Sequence, residues 1–232
     1  MKIEIKGPII GDSQQWIYDW LDMPATSPSK VNKLIDSAAD NEELDIIINS
    51  GGGSVYAGSE IYTALKSYKG NTKGSIVGIA ASAASVIAMG IKILSISPTA
   101  QVMIHNASTL AAGNKDDFQK MVDMLSTVDK SIANAYVGKT KMDKTKLMEL
   151  MSNETWLDAE TAKEMGFVDS IMFEEEFQAV ASVSNSGMLP EKIINKIMEE
   201  FKNKAEVEKS EIEAENIEIL ELLKAKLALE LL

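Results

Sequence analysis

Two residues of this sequence have side chains that could work together as a nucleophile and its base. Ser82 lies in GIAASAASVIAMG, residues 78–90, a run of small and apolar residues. His105, the only histidine of the chain, ends the short stretch QVMIH. A serine hydroxyl reacts with a carbonyl only when a base within hydrogen-bond distance takes its proton. The pair predicts nucleophilic catalysis if the fold brings the two side chains together.

Spacing alone leaves another interpretation of His105 open. A lone histidine beside an apolar run fits an ordinary core or surface residue at least as well as a catalytic base. Ser85 is a second hydroxyl, three residues after Ser82. We expect Ser85 to return its hydroxyl to a backbone carbonyl, as serines within helices commonly do.

A glycine turn offers amides that could stabilise an anionic intermediate. Gly51, Gly52 and Gly53 follow the apolar stretch LDIIIN. Two convergent N–H groups are what an oxyanion needs, and one of them is expected at the start of the helix that follows Ser82. An ordinary tight turn and a phosphate nest are the alternatives. A P-loop is excluded because no Gly-Lys-Ser or Gly-Lys-Thr follows the glycines.

Composition excludes several classes of site. The formal net charge of −12 argues against a nucleic-acid-binding protein, which would show a basic face. The 232 residues include no cysteine and one histidine, so thiolate and multi-histidine metal sites are excluded. No arginine is present, so bidentate recognition of phosphate or carboxylate by a guanidinium is excluded as well. We expect neither a metal nor an organic cofactor.

The only candidate for a membrane span covers residues 75–91. It is short for a span, is diluted by glycine and serine, and is bracketed by Lys73 and Lys92. A buried strand followed by a buried helix explains the segment better. The N-terminal MKIEIKGPII alternates polar and apolar residues like a strand, not like a signal peptide. The expectation is a cytoplasmic protein without membrane contact.

Strand and helix patterns alternate along most of the chain, which predicts an α/β fold with a parallel sheet covered by helices. Predicted strands cover residues 1–10, 44–49, 75–79, 91–97, 101–105 and 167–173. Predicted helices cover residues 56–69, 80–89, 116–137, 143–151 and 159–165, with Asn114 and Asp158 as N-caps. Adjacent parallel strands end at one edge of a sheet, so this fold would deliver Ser82 and His105 to the same place.

The composition changes near residue 181. We divide the chain into a catalytic domain at residues 1–180, a polar linker at 181–190, and an acidic helical tail at 191–232. The tail is rich in Glu, Lys, Leu and Ile with weak heptad character. A solvated or self-associating helix is one interpretation, and a docking or assembly element is the other.

Four motifs occur in an order that resembles a known family. They are NSGGGSVYAGSEIYTAL, GIAASAAS, VMIHN and TWLDAETAKEMGFVDSI, and together they span roughly residues 40–172. They resemble the Clp protease proteolytic-subunit family, especially its phage-type relatives that act as head maturation proteases. The resemblance implies a serine endopeptidase with a crotonase-like fold of repeated β-β-α units and a protruding handle helix. It also implies assembly into rings.

The resemblance implies a role for each site residue. Ser82 matches the family's nucleophile, and His105 matches its general base. The amides of Gly53 and Ala83 match its oxyanion hole. Glu154 stands where the family usually has the aspartate that completes the triad. Asp158 is a rival for that role, although a helix cap explains it better.

The sequence departs from the family pattern at two positions. Gly51 replaces the usual proline of the glycine turn, and Asn153 replaces an arginine that commonly joins two rings.

The resemblance implies a peptide or protein substrate, no cofactor, and a Clp-type ATPase or a capsid or scaffold protein as partner. The alternatives are an acyl-CoA enzyme of the crotonase fold, a catalytically idle assembly protein and a Ser-Lys peptidase.

Overall fold

The computed structural model describes residues 1–174, and the linker and tail predicted at 181–190 and 191–232 lie outside them. The described strands are β1 (Lys2–Lys6), β2 (Leu44–Ser50), β3 (Thr72–Ala81), β4 (Ile93–Ile96), β5 (Gln101–Ile104), β6 (Thr155–Leu157) and β7 (Ser170–Ile171). The described helices are α1 (Asp12–Trp20), α2 (Pro28–Ser37), α3 (Val55–Ser67), α4 (Ala83–Ala88), α5 (Lys115–Thr140), α6 (Lys144–Ser152) and α7 (Ala159–Glu164). This mixed α/β architecture confirms the predicted fold class.

The sheet is mainly parallel, with the order β1-β2-β3-β4-β7. The long strand β3 has two partners on the same side. Its first half pairs with β4, and its end pairs with β5 through Ile79–Gln101, Ala80–Val102 and Ala81–Met103. β6 then adds to β5 in the antiparallel direction. The ends of β3 and β5 are therefore neighbours, which is the feature that builds the candidate site.

The core lies between the sheet and its helices. Alternate residues of β1 and β2 are buried, as period-2 patterning requires, and apart from Ser50 at the end of β2 they are all isoleucine or leucine. Every residue of α4 is buried. Its small side chains allow a close approach to α3, where a Cβ added to Gly58 would lie 3.0 Å from the Cβ of Ala83. Tight packing of this kind leaves α4 little freedom to move.

α5 is the predicted handle helix, and it is longer than residues 116–137. Asn114 caps it as predicted, in a capping box with Asp117, and the helix ends where Lys141 adopts a left-handed conformation. Its buried residues begin only at Asp129. The first half of α5 is thus largely exposed, which agrees with the expectation of a protruding handle.

Several predicted boundaries were wrong. The strand predicted at 75–79 continues to Ala81, and the helix predicted at 80–89 shortens to α4, because Ser82 has a positive φ that no helix allows. The strand predicted at 167–173 keeps only Ser170–Ile171 as β7. No element was predicted for α1, α2 or β6. α1 has no buried residue, so it carries no stripe facing the core, and β6 is only three residues long.

Within residues 1–174, no helix combines the length and the hydropathy that a membrane crossing requires. Most of the segment at residues 75–91 instead lies in β3 and α4, which both contribute to the core.

Candidate active site

Ser82 connects β3 to α4 in a strained backbone conformation. Its φ of 54° and ψ of −123° are unusual for a residue with a side chain. The Ser82 N–H donates to the carbonyl of Met103 at 2.9 Å, which extends the pairing of β3 and β5 by one residue. Such a sharp turn from a strand into a helix leaves the Ser82 side chain at the sheet edge, half-buried beside the first free amides of α4.

His105 meets Ser82 directly. The Nε2 atom of His105 lies 2.8 Å from the Oγ of Ser82. The contact follows from the pairing of Ala81 with Met103, since the residues that come after these two strands leave the sheet at one edge. Nε2 accepts the serine proton only in the tautomer that carries its proton on Nδ1. The imidazole is then prepared to act as a base.

Glu154 is near His105 but makes no hydrogen bond with it. Its Oε2 lies 4.0 Å from the Nδ1 of His105, and its side chain is 60% exposed. The pairing of Ile104 with Thr155 brings the two residues together, because in this antiparallel pair His105 follows Ile104 and Glu154 precedes Thr155. The Oε1 of Glu154 accepts a hydrogen bond from Trp156 Nε1 at 3.4 Å. The carboxylate is therefore close to the imidazole, without a hydrogen bond to it, and in contact with solvent.

The rival acid Asp158 has a different role. Its side chain accepts the N–H of Thr161 at 2.8 Å and caps α7, as predicted. Hydrogen bonds from Thr161 hold the pKa of Asp158 below its usual value. A carboxylate used in this way is committed to the helix end.

Gly53 and Ala83 line the same cavity as the Ser82–His105 pair. Ala83 is the first residue of α4, so its N–H has no partner within the helix. The Gly53 turn is held by Ile9, whose N–H donates to Gly52 O and whose carbonyl accepts from Ser54 N, both at 2.8 Å. In the described part of the chain neither Gly53 nor Ala83 donates its N–H to another group.

Glycine is required at position 53 for two reasons. Its φ of 146° lies in a region that side chains avoid, and an added Cβ would sit 2.2 Å from the carbonyl oxygen of Ile9. Nothing in the sequence indicated the contact with Ile9, which is 44 positions away. The contact between Ile9 and Gly53 forms because the fold places the segment between β1 and α1 against the glycine turn.

These groups surround a cavity of about 370 Å³. Apolar side chains from α3, α4 and α5 line its other walls, including Val55, Val86 and Ile132. The site has the parts needed for attack on an uncharged carbonyl: a hydroxyl, a base, two free amides and an apolar wall. In the described residues no three His, Asp or Glu side chains cluster closely enough to hold a metal ion.

Ser85 and Tyr136 form a buried hydroxyl pair behind the nucleophile. The Oγ of Ser85 lies 2.7 Å from the carbonyl oxygen of Ser82, so the expected return to a backbone carbonyl is confirmed. The same Oγ lies 2.8 Å from the hydroxyl of Tyr136 on α5. Burial raises the pKa of Tyr136. Tyr136 was not predicted as a site residue, because its position in α5 fits the apolar stripe of that helix.

Asp129 is a second contribution of α5 that sequence reasoning missed. Its side chain is 7% exposed, and its Oδ1 accepts the N–H of Ala107 at 2.7 Å. The N–H of Asn106 donates to the carbonyl of Met151 at 3.2 Å. The segment that follows His105 is thus attached both to α5 and to α6. The sequence did contain a signal for this role, because Asp129 is an acidic residue within the apolar pattern of a helix.

The chain shares its sequence pattern with known proteins. The family model described as Clp protease matches residues 28–175. The ATP-dependent Clp protease proteolytic subunit 1 of Salinibacter ruber is 27% identical over 155 residues, 66% of this chain and 66% of that protein. The ATP-dependent Clp protease proteolytic subunit of Deinococcus radiodurans is 29% identical over 141 residues, 60% of this chain and 69% of that protein. The corresponding subunit of Bacteroides thetaiotaomicron is 29% identical over 145 residues, covering 61% and 65%. The matches thus span about two thirds of these relatives.

Proposed function

The chain belongs to the Clp protease family, and on that premise we propose that it is a serine peptidase whose nucleophile is Ser82. One observation carries the proposal: the Oγ of Ser82 lies 2.8 Å from the Nε2 of His105. A serine in hydrogen-bond contact with the only imidazole of the chain has the base that it needs.

In the proposed first step, the Oγ of Ser82 attacks the carbonyl carbon of a peptide bond while the Nε2 of His105 takes the hydroxyl proton. A tetrahedral intermediate forms, with negative charge on the former carbonyl oxygen. His105 then gives its proton to the leaving amine, the C–N bond breaks, and an acyl-enzyme remains.

The amides of Gly53 and Ala83 are proposed to hold the intermediate's oxygen. Both line the cavity, and both have N–H groups without an acceptor among the described residues. Loss of one such donor lowers the rate by about 10²–10³-fold in a well-studied serine peptidase. This pair is therefore assigned a large share of the catalysis.

Glu154 is proposed to orient His105 and to stabilise its imidazolium form. At 4.0 Å and 60% exposed, the carboxylate does this through a partly screened charge rather than through a hydrogen bond in this conformation.

In the second half of the reaction, water takes the place of the amine. His105 removes a proton from the water, the hydroxide attacks the acyl carbon, and the proton returns to Ser82.

The proposed substrate is a peptide or protein, and the proposed assembly is a homo-oligomeric ring. The names of the relatives describe them as ATP-dependent proteolytic subunits, which supports a Clp-type ATPase as a partner. The phage-type reading adds head maturation and a capsid or scaffold partner, with the segment at 191–232 as the assembly element. We carry both partner classes forward as proposals.

Labelling with a fluorophosphonate probe tests the central claim. The probe should bind covalently to the wild type, and labelling should be lost in Ser82→Ala and strongly reduced in His105→Ala. Hydrolysis of a fluorogenic peptide with an apolar residue before the cut bond should follow the same order. Ser126→Ala removes an exposed hydroxyl of α5 that donates to Val122 O and does not line the cavity, and should behave like the wild type.

Two results would reject the proposal. A wild type that neither labels nor hydrolyses peptides would favour an idle assembly protein. Hydrolysis of an acyl-CoA thioester that survives in Ser82→Ala, without peptide hydrolysis, would favour an acyl-CoA enzyme. Circular dichroism of each variant ensures that the comparison is made between folded proteins.

A further inference from the structure

Two buried hydroxyls connect α5 to the peptide unit that carries a proposed oxyanion amide. The hydroxyls of Tyr136 and Ser85 lie 2.8 Å apart, and the Ser85 Oγ lies 2.7 Å from the carbonyl oxygen of Ser82. Both side chains are 0% exposed. Burying two hydroxyl groups is unfavourable unless they are hydrogen-bonded, and here each satisfies the other.

The direction of these hydrogen bonds follows from the groups involved. A carbonyl oxygen only accepts, so the single proton of Ser85 points to Ser82 O. The proton between Ser85 and Tyr136 must then come from Tyr136. Burial raises the pKa of Tyr136, which keeps this donor protonated. The chain of donation runs from Tyr136 through Ser85 to the Ser82 carbonyl.

The Ser82 carbonyl and the Ala83 N–H belong to one peptide unit. A trans peptide is planar, so its C=O and N–H point in opposite directions, and fixing one aims the other. Ser82 O also accepts from the amides of Ser85 at 3.0 Å and Val86 at 3.2 Å. Several donors on the carbonyl polarise the peptide and strengthen its N–H as a donor. The peptide plane is therefore held through its carbonyl, and its N–H belongs to Ala83, a residue that lines the cavity.

We infer that Tyr136 and Ser85 are positioning residues that aim and polarise the Ala83 amide toward the oxyanion. The inference rests on the proposed peptidase function. It makes the oxyanion amide dependent on α5, because Tyr136 is anchored there and its ring packs against Phe167 at a centroid distance of 5.8 Å. The strained φ of Ser82 makes such support necessary, since an unsupported turn would relax.

The test compares Tyr136→Phe, Ser85→Ala and the double variant with the wild type. Three quantities are measured: kcat and KM for the fluorogenic peptide, and the Ki of a peptide aldehyde. The aldehyde adds to the serine and places an oxyanion in the proposed hole. We expect kcat of Tyr136→Phe to fall about tenfold with KM unchanged, and Ki to rise by a similar factor, as for one lost hydrogen bond.

The double variant separates a connected pair from two independent contacts. If the hydroxyls act in series, the double variant loses no more than the worse single variant. It also protects the test from misfolding, because it replaces both buried hydroxyls by apolar groups and leaves neither unsatisfied. Tyr68→Phe is the matched control: its hydroxyl donates to Glu42 O at 2.6 Å, away from the cavity, so kcat and Ki should stay unchanged.

The results that overturn the inference differ from those that overturn the peptidase proposal. Failure of the wild type to label or hydrolyse ends the function and the inference together. A wild type that is active, with kcat and aldehyde Ki within twofold in the folded single and double variants, ends the inference alone. An equal loss of kcat in Tyr68→Phe also ends it, since the effect would then be one of general stability.

Discussion

The two sides of the candidate site are built in different ways. On the serine side, Ser82 leads into the fully buried α4, and its backbone is held by Met103 and by the Ser85–Tyr136 pair. On the acid side, Glu154 also has a positive φ, 47°, but its side chain is 60% exposed and lies 4.0 Å from His105. The serine side is closely packed into the core through α4, whereas the acid side is solvated.

The difference predicts which side of the site contributes more to the proposed catalysis. Hydrogen-bond donors act most strongly when they are fixed in advance and shielded from solvent. A charge in contact with water is screened and contributes less at the same distance. We therefore expect the proposed chemistry to depend steeply on the serine side and weakly on the acid side. Three substitutions grade that expectation.

Gly53→Ala should have the largest effect of the three. The new Cβ would lie 2.2 Å from the carbonyl oxygen of Ile9, so the turn must move and carry its amide away from the oxyanion. We expect kcat for peptide hydrolysis to fall about 10²–10³-fold, as for a lost oxyanion donor. Steady-state kinetics on the folded variant measures it.

Gly51→Ala is the control for that experiment. A Cβ at Gly51 meets nothing within 4 Å, so this substitution in the same turn should leave kcat within about twofold. If both variants lose activity equally, the loss comes from disruption of the turn as a whole and not from displacement of the Gly53 amide. If Gly53→Ala is fully active, the amide of Gly53 has no part in catalysis, and the serine side is less demanding than we expect.

Asp129→Ala should have an intermediate effect. It removes the acceptor of the Ala107 N–H and so loosens the segment two residues after His105. A hydrogen bond to a charged group contributes about 1.5–3 kcal/mol. Because Asp129 reaches His105 only through the intervening segment, we expect part of that loss to appear as a fall in kcat of about tenfold. Asp129→Asn keeps an acceptor oxygen and should restore most of the activity. Equal loss in both variants would assign the effect to charge instead of to the anchor.

Glu154→Gln should have the smallest effect. The exposed carboxylate makes no hydrogen bond to His105 in this conformation, so we expect kcat to fall less than about tenfold. Glu160→Gln, an exposed acid on α7, is the matched control and should leave kcat unchanged. Measuring kcat of the two variants at low and at high salt shows how much of the effect of the Glu154 charge is screened by ions. A loss of about 10⁴-fold, as for a buried triad acid, would contradict the weak acid side.

Much of this architecture was open to prediction from local patterns. The apolar runs at β2 and β5 and the small-residue run around Ser82 identified the parallel sheet and its edge. The caps at Asn114 and Asp158 were predicted because a capping side chain and its target are only two or three residues apart. Short-range features of this kind depend only on neighbouring residues, and both predicted caps were confirmed.

Contacts between residues far apart in the chain could not be predicted from local patterns. Ile9 meets the turn at Gly53, Asp129 meets Ala107, and Tyr136 meets Ser85, across 44, 22 and 51 positions of the chain. In the sequence these residues resemble ordinary members of a strand end or a helix. α1 was missed for a related reason, since it buries none of its residues and so shows no stripe facing the core.

The sequence by itself determined the candidate chemistry: one imidazole, a serine in a small-residue run, a glycine turn, and no cysteine or arginine. It also determined the alternation of strands and helices that makes a parallel sheet. Only the tertiary structure decided that the Ser82 and His105 side chains meet at 2.8 Å while Glu154 stays at 4.0 Å in solvent. The reason is physical: residue types follow from the chain, but distances between side chains depend on strand register and packing, which no short segment contains.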